Sequence, residues 1–148
     1  MFPIIQKPFF HKMIIYYNFP SSNEWLQNDW AYNQFKSEIT HKVKRVAMQQ
    51  LSGLQLNTWC GFYFEWYMKD ERKDPPNIWM NQKAIFDGLV NAKVIPDDTF
   101  SFTKGGRLDH TAIDANNPRL ELYIYPEVMM NVGAKAIHRT LLAQSIEA

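Results

Sequence analysis

Three acidic residues and one lysine stand around a predicted helix in the middle of the chain. Asp74 lies in the loop "RKDPPN" before this helix, Lys83 lies within it, and the pair Asp97-Asp98 follows it in the turn "IPDD". Mg²⁺ prefers oxygen ligands, and such an ion activates water and stabilises charge on a phosphodiester. A nearby lysine would add positive charge to the transition state. These residue types therefore suit phosphodiester hydrolysis at a metal site.

The same residues also have ordinary structural interpretations. Asp74 before a proline and Asp97-Asp98 after a proline are common turn residues, and a lysine on a helix is usually a solvated charge. The metal-site interpretation requires that the strand after the helix pairs with the strand ending near Met68, because that pairing would return Asp98 to the neighbourhood of Asp74. Lys83 would reach both, since helical side chains lean toward the N-terminus. Spacing alone leaves the two interpretations open.

The elements that position these residues are predicted from periodicity and turn residues. Runs rich in β-branched and aromatic residues predict strands, and apolar residues at spacings of three to five predict helices. Strands are predicted over 12–19, 56–68, 99–103 and 119–126, helices over 25–51, 78–94 and in the C-terminal tail, and a loop over 104–118. Ser22 or Asn23 is the expected N-cap of the first helix and Asn77 that of the second, and Gly53 should end the first. This order predicts an α+β domain with a single mixed β-sheet and helices packed mainly on one face.

Length and composition bound the class of protein. The 148 residues suit one domain over 1–148, with 127–148 as a helical tail, and 46% hydrophobic residues are enough for a core. A formal net charge of +1 excludes a protein that coats nucleic acid through a global basic field, so a DNA contact needs a local patch. The single Cys60 excludes an internal disulfide and a multi-cysteine zinc site.

The chain start and the lack of known motifs narrow the expectation. Lys7, Pro8 and Lys12 interrupt the apolar start, and no apolar stretch approaches the roughly 20 residues of a membrane span. A cytoplasmic protein with no membrane partner is therefore expected. The sequence contains no phosphate loop, nucleophile elbow or HExxH motif, and its four histidines are scattered without ligand spacing.

Four segments occur in an order that carries a family resemblance. They are a strand and turn "YYNFPSSNEW", a strand and basic loop "FYFEWYMKDERKDPPN", a lysine-led helix with a terminal acidic pair "KAIFDGLVNAKVIPDD", and a closing strand "PRLELYIY". Together they resemble the RusA family of Holliday-junction resolvases, which are small metal-dependent endonucleases common on phages and prophages. The resemblance covers about residues 12–126. Its most specific part is the lysine helix that ends in two aspartates after a basic D-x-x-N loop.

The resemblance implies a RusA-like fold, an endonuclease that cuts four-way or other branched DNA, and a homodimer with two active sites. It also implies a Mg²⁺ cofactor, with Mn²⁺ as an alternative. Asp74 matches the first Asp of the family's D-x-D-N motif, and Asn77 matches its Asn. Lys83 matches the lysine that assists catalysis, and Asp97 and Asp98 match the late acidic pair. Asp74 and an acid of the late pair, with Asp98 favoured over Asp97, are then the metal ligands.

The sequence departs from this family at the second carboxylate of the motif. It reads D-P-P-N where the family reads D-x-D-N, so Pro76 stands at the position of an acidic ligand. Proline cannot bind a metal through its side chain, and the loss of one carboxylate weakens a hard-cation site. Three outcomes stay open: Asp70 or Glu71 substitutes, the activity is weak, or the protein binds DNA junctions without cutting them.

Basic and polar residues near these segments are candidate DNA contacts. Contacts to phosphates would position a junction without reading its sequence. The candidates are Lys69, Arg72, Lys73 and Asn77 beside the proposed site, Lys104 and Arg107 around the loop "KGGR", and Lys42, Lys44 and Arg45 on the long helix. A further interpretation is a structural or partner-binding protein, for which the hint is the Met-rich tail that begins "EVMMN".

Overall fold

The computed structural model describes residues 10–127, in which four strands form one mixed sheet. The strands are β1 (His11–Tyr16), β2 (Cys60–Met68), β3 (Arg107–Ile113) and β4 (Arg119–Pro126). Their order across the sheet is β1-β4-β2-β3. β4 runs antiparallel to both β1 and β2, whereas β2 and β3 are parallel. The predicted α+β class with a single mixed sheet is therefore confirmed. The predicted helical tail lies outside the described residues, apart from Glu127.

Within residues 10–127, four helices and one 3₁₀ turn connect the strands. They are α1 (Ser22–Trp25), α2 (Asp29–Gln50), the 3₁₀ turn Pro75–Ile78, α3 (Asn81–Asn91) and α4 (Phe100–Thr103). No helix within residues 10–127 is both long enough and apolar enough to cross a lipid bilayer.

The main core lies where α2 and α3 meet one face of the sheet. Alternate residues of β2 point to this face, as the period of two in a strand requires, and Phe62, Phe64 and Trp66 are all buried there. Gly88 lets the two helices approach closely, since a Cβ at this position would stand 2.6 Å from the Cβ of Val43. The exposed side of α3 therefore has a fixed position relative to the sheet.

The opposite face of the sheet buries charged residues together with tyrosines. Glu121 is buried and lies 2.7 Å from Lys12 Nζ and 2.9 Å from Arg119 Nε. Burial alone would raise the pKa of Glu121, but the hydrogen bonds from Lys12 and Arg119 outweigh it and lower that pKa. Arg119 also lies over the ring of Tyr67, with its guanidinium carbon 3.8 Å from the ring centre. Lys12, Arg119 and Glu121 are thus paired with one another on this face.

The predicted helix over 78–94 is shorter and starts differently from the expectation. The two prolines begin a 3₁₀ turn, and the N–H of Asn77 donates to the carbonyl of Asp74 at 2.9 Å within it. The prediction of Asn77 as the helix N-cap is therefore wrong. Asn81 anchors the true start, because its buried amide accepts from Trp25 Nε1 at 2.9 Å and donates to the carbonyl of Pro20 at 2.8 Å.

The predicted first helix is divided into two. The predicted caps Ser22 and Asn23 lie inside the short α1, and the cap of the long α2 is Asn28, whose side chain accepts the N–H of Ala31 at 2.7 Å. Gly53 follows the end of α2 at Gln50, with φ of 77°.

Two predicted elements late in the chain are wrong in type. Residues 99–103, predicted as a strand, contain α4, and the predicted loop over 104–118 contains β3. β3 is an edge strand with polar residues on both faces, so it lacks the alternation of a half-buried strand. Within 99–103, the composition favoured a strand, but the N–H groups of Phe102 and Thr103 donate to the carbonyl of Thr99 and close a helical turn.

Candidate functional site

Lys83 and Asp98 meet on the exposed side of α3. The ammonium group of Lys83 contacts a carboxylate oxygen of Asp98 and lies 3.0 Å from Oδ1 of Asp87, one helical turn further on. The side chain of Lys83 is 68% exposed, whereas that of Asp98 is 22% exposed. The structure thus brings together two of the predicted site residues and adds Asp87. The signal for Asp87 is its position four residues after Lys83 on one helix, which is the spacing of a helical ion pair.

The charges of this group reinforce one another. Hydrogen bonds to Asp98 and then to Asp87 raise the pKa of Lys83. The hydrogen bond from Lys83 lowers the pKa of Asp98 below its ordinary value. Both groups are therefore ionised at neutral pH. Lys83 is a fixed cation and not a general base, which suits the stabilisation of negative charge on a phosphate.

Asp97 has a different role in the turn. Its Oδ1 accepts the backbone N–H of the next residue, Asp98, at 2.8 Å. Asp97 is exposed, and its carboxylate is directed in part toward its own backbone. Of the predicted acidic pair, Asp98 is the member that contacts the lysine.

Lys83 and Asp98 line an open cleft of about 660 Å³. The cleft lies between α3, α4 and the start of β3. Its other lining residues are Trp79, Met80, Gln82, Phe86, Phe100, Thr103, Lys104, Gly106 and Arg107. Two predicted DNA contacts, Lys104 and Arg107, therefore belong to the same cleft as the ion pair. Lys104 is exposed, and its ammonium lies 5.9 Å from the ring centre of Trp59.

A chain of polar contacts fixes Arg107 at the edge of this cleft. Arg107 Nη1 donates to Oε1 of Gln82 at 3.0 Å, and Nε2 of Gln82 donates to Oδ1 of Asp109 at 2.8 Å. The same Asp109 oxygen accepts from Trp66 Nε1 at 2.8 Å. Sequence reasoning missed Gln82 and Asp109, because their contact depends on how α3 lies over β3.

Gly105 forms a close contact at the base of the cleft. A Cβ at this position would stand 2.5 Å from the backbone N of Gly61, so a side chain would collide with β2. The N–H of Gly105 donates to the carbonyl of Cys60 at 3.0 Å. The loop between α4 and β3 is therefore held directly on the start of β2, and Arg107 two residues later is positioned by it.

The other predicted acids lie at the far end of β3. Asp70, Glu71 and Pro75 lie against 111–113, the last residues of that strand, whereas the cleft reaches its first residue, Arg107. Six strand residues at about 3.3 Å each span roughly 20 Å. Asp74 is exposed before the 3₁₀ turn and does not line the cleft. The strand expected to pair with β2, 99–103, is helical, and β3 takes that place in the sheet. β3 runs parallel to β2, so the loop after β2 and the loop before β3 reach opposite ends of the pair.

The acidic residues of the described chain do not form a dense cluster. Within residues 10–127, no three His, Cys, Asp or Glu side chains are grouped as a ligand set for a metal ion. Asp70 stabilises its own loop, because its Oδ1 accepts the N–H of Arg72 at 2.9 Å. Asp98 is the one predicted ligand that faces the cleft, and Asp74 stays a prediction as a ligand.

The basic residues of the loop after β2 differ in how they are used. Lys73 Nζ donates to the carbonyl of Phe19 at 2.9 Å and lies 3.5 Å from Glu24, so this side chain ties the loop to the segment after β1. Lys69 is exposed, and Arg72 is 90% exposed beside Asp70. Lys69 and Arg72 therefore have cationic groups that are open to solvent, whereas Lys73 has a structural role.

No family model matches this chain, and no curated protein is significantly similar to it. The resemblance in sequence therefore stays a prediction.

Proposed function

We propose that this protein is a magnesium-dependent, RusA-type endonuclease that cuts four-way or other branched DNA by hydrolysis. The observation that supports it best is the ion pair between Lys83 and Asp98 in a cleft that also contains Arg107 and Lys104. These are the lysine and the late acid of the family pattern. The pattern alone did not require their contact, because 15 residues separate them.

The cleft has groups for each part of a phosphodiester hydrolysis. Arg107 and Lys104 offer cations to the DNA backbone at the edge of the cleft. Lys83 remains protonated and can stabilise the charge that develops on the scissile phosphate. Asp98 is an ionised carboxylate, which is the ligand type that Mg²⁺ prefers, and Mg²⁺ sites commonly combine one or two carboxylates with phosphate oxygens and water. The donor set therefore fits an ion that binds together with DNA.

A bound Mg²⁺ would supply an activated water and neutralise phosphate charge. Lys83 and this ion would then share the carboxylate of Asp98. In the absence of DNA, the Lys83 ammonium already neutralises that carboxylate, so a divalent ion has to compete with it. We therefore expect weak metal affinity without DNA and stronger affinity with it.

Cleavage of a synthetic four-way junction tests the proposal. Purified protein is incubated with the junction and Mg²⁺ or Mn²⁺, beside Lys83→Met and, as a matched control, Lys36→Met on the exposed side of α2. Wild type and Lys36→Met should cut near the branch point, and Lys83→Met should not. The proposal fails if wild type makes no cut at any protein concentration and Pro76→Asp does not restore cutting.

A second candidate function is a junction-binding protein that does not cut. The observations that favour it are Pro76 in place of a motif carboxylate and the distance between the loop acids and the cleft. It predicts salt-sensitive binding to a junction without any cleavage, and an affinity that is unaffected by Asp98→Asn. If wild type cuts and Asp98→Asn does not, this second function is excluded.

The proposed activity also includes a homodimer. Two cuts on opposite strands of one junction require two active sites, which a symmetric dimer supplies. Light scattering on the full chain, alone and with a junction, should give the mass of a dimer. Truncation before residue 128 then asks whether the Met-rich tail contributes to that assembly.

A further inference from the structure

Two large aromatic rings are exposed on the walls of the cleft. The side chain of Trp79 is 62% exposed and that of Phe100 is 79% exposed, and both line the same cleft as Lys83. Trp79 directly follows the 3₁₀ turn, and Phe100 is the first residue of α4. The two rings therefore come from separate segments, one before and one after Lys83 in the sequence.

The two rings have cationic side chains as neighbours in the cleft. Lys104 and Arg107 line the cleft beside the rings, and Arg107 is fixed there by Gln82. A cationic groove with exposed aromatic rings is the combination that binds unpaired nucleic acid, because the cations hold phosphates and the rings stack on bases. An exposed ring elsewhere lacks this setting: Trp30 is 74% exposed near the start of α2 and does not line the cleft.

We propose that Trp79 and Phe100 stack on bases that are unpaired or unstacked at the branch point of the DNA. This inference rests on the proposed function and deepens it, since it assigns residues that select the branched substrate. In an intact duplex the face of each base is covered by its neighbours, so a ring cannot stack on it. At a branch point or in a single strand that face is accessible, and every base offers one. The rings thus favour branched DNA over duplex without reading sequence.

Binding without metal tests this assignment separately from cleavage. A four-way junction carries the fluorescent base 2-aminopurine beside the branch point, and binding is measured in EDTA by anisotropy of a distant dye. The variants are Trp79→Ala, Phe100→Ala and their combination, with Trp30→Ala as the matched control. Circular dichroism and thermal unfolding establish that each variant is folded.

Stacking should change the 2-aminopurine fluorescence when wild type or Trp30→Ala binds. Each cleft variant should lose that change and bind the junction about tenfold more weakly, with duplex affinity unchanged. Trp79→Phe keeps a ring and should retain most of the affinity, which a loss of structure would not produce.

The possible outcomes separate this inference from the proposed function. If wild type binds the junction and the cleft variants bind equally well, or lose junction and duplex affinity alike, the stacking assignment is wrong and the endonuclease proposal stands. If stacking is observed but no cleavage occurs with metal, the assignment stands and the enzyme proposal is wrong. If wild type binds neither junction nor single strand, in EDTA or with Mg²⁺, both are wrong, and a protein partner becomes the alternative occupant of the cleft.

Discussion

The cleft at the start of β3 and the loop at the end of β3 contain the same residue types but use them differently. In the cleft, Asp98 pairs with a lysine from another element, and both groups face open space. In the loop, Asp70 accepts the N–H of Arg72, and Lys73 holds the carbonyl of Phe19. Asp98 is thus open to the cleft, whereas those two loop residues stabilise local structure. The acid that faces the cleft, Asp98, is not one of the acids next to the two prolines in the sequence.

The loss of the Asp98 carboxylate should have the largest effect on cleavage. Asp98→Asn removes the ionised oxygen that Lys83 and a metal ion would share, so we expect junction cleavage to fall at least about 100-fold. Asp87→Asn removes the other carboxylate on Lys83 but keeps the contact with Asp98, and should reduce cleavage only a few-fold. Single-turnover cleavage rates measure both. Equal losses in the two variants would mean that the cleft works only through the charge of Lys83.

The reverse test adds a carboxylate to the loop. Pro76→Asp restores the acidic position of the family motif, and we expect cleavage to rise about tenfold through tighter metal binding. Asp74→Asn combined with Pro76→Asp should abolish that gain. The rate is measured as Mg²⁺ is titrated, with Pro75→Asp as the control for added charge. An unchanged rate and metal dependence in Pro76→Asp would show that the loop is too far from the cleft to act with it.

The structural role of Lys73 predicts an effect on stability. Lys73→Met removes hydrogen bonds to the carbonyl of Phe19 and to Asn18, and leaves that carbonyl without this donor. We expect a loss of about 1–2 kcal/mol in the free energy of unfolding, measured by urea denaturation. Lys69→Met, at an exposed position of the same loop, should change it by less than about 0.5 kcal/mol. If Lys73→Met instead lowers DNA affinity while the free energy of unfolding changes little, Lys73 is a DNA contact.

The smallest expected effect is the pH dependence of the ion pair in the cleft. Lys83 lowers the pKa of Asp98, so this pair contributes stability above the ordinary Asp value of 3.8 and loses it as pH falls through the lowered pKa. Because Lys83 is mostly exposed, the contribution is below about 1 kcal/mol. Urea unfolding at pH 6 and near pH 3 should show a larger decrease for wild type than for Asp98→Asn. Equal decreases would mean that the pair adds no stability.

Sequence patterns predicted the strongly apolar elements and the class of fold. β4 was predicted over 119–126 and is observed there, since its aliphatic core residues alternate with Glu121 and the tyrosines of the opposite face. β3 was not predicted, because an edge strand with polar residues on both faces has no such alternation. The start of α3 was misplaced because a 3₁₀ turn at Pro75 takes up residues that helical periodicity alone would add to the helix.

The candidate site was predicted in part. The sequence indicated Lys83 and Asp98, and the structure places these residues, which are 15 positions apart in the chain, in contact. Sequence patterns did not indicate that four further residues belong to the same region, because they come from different elements and meet only through packing. These residues are Trp79, Gln82, Phe100 and Asp109.

The residue types at the site and the strongly apolar character of β2 and β4 follow from the amino-acid sequence alone. Only the tertiary structure decided which acids meet the lysine. The reason is the direction of β3: a parallel pair brings the chain back at the opposite end from where it left. Asp98 therefore lies with Arg107 and the aromatic rings, while Asp70 and Glu71 lie at the other end, as the register of β2 with β3 requires.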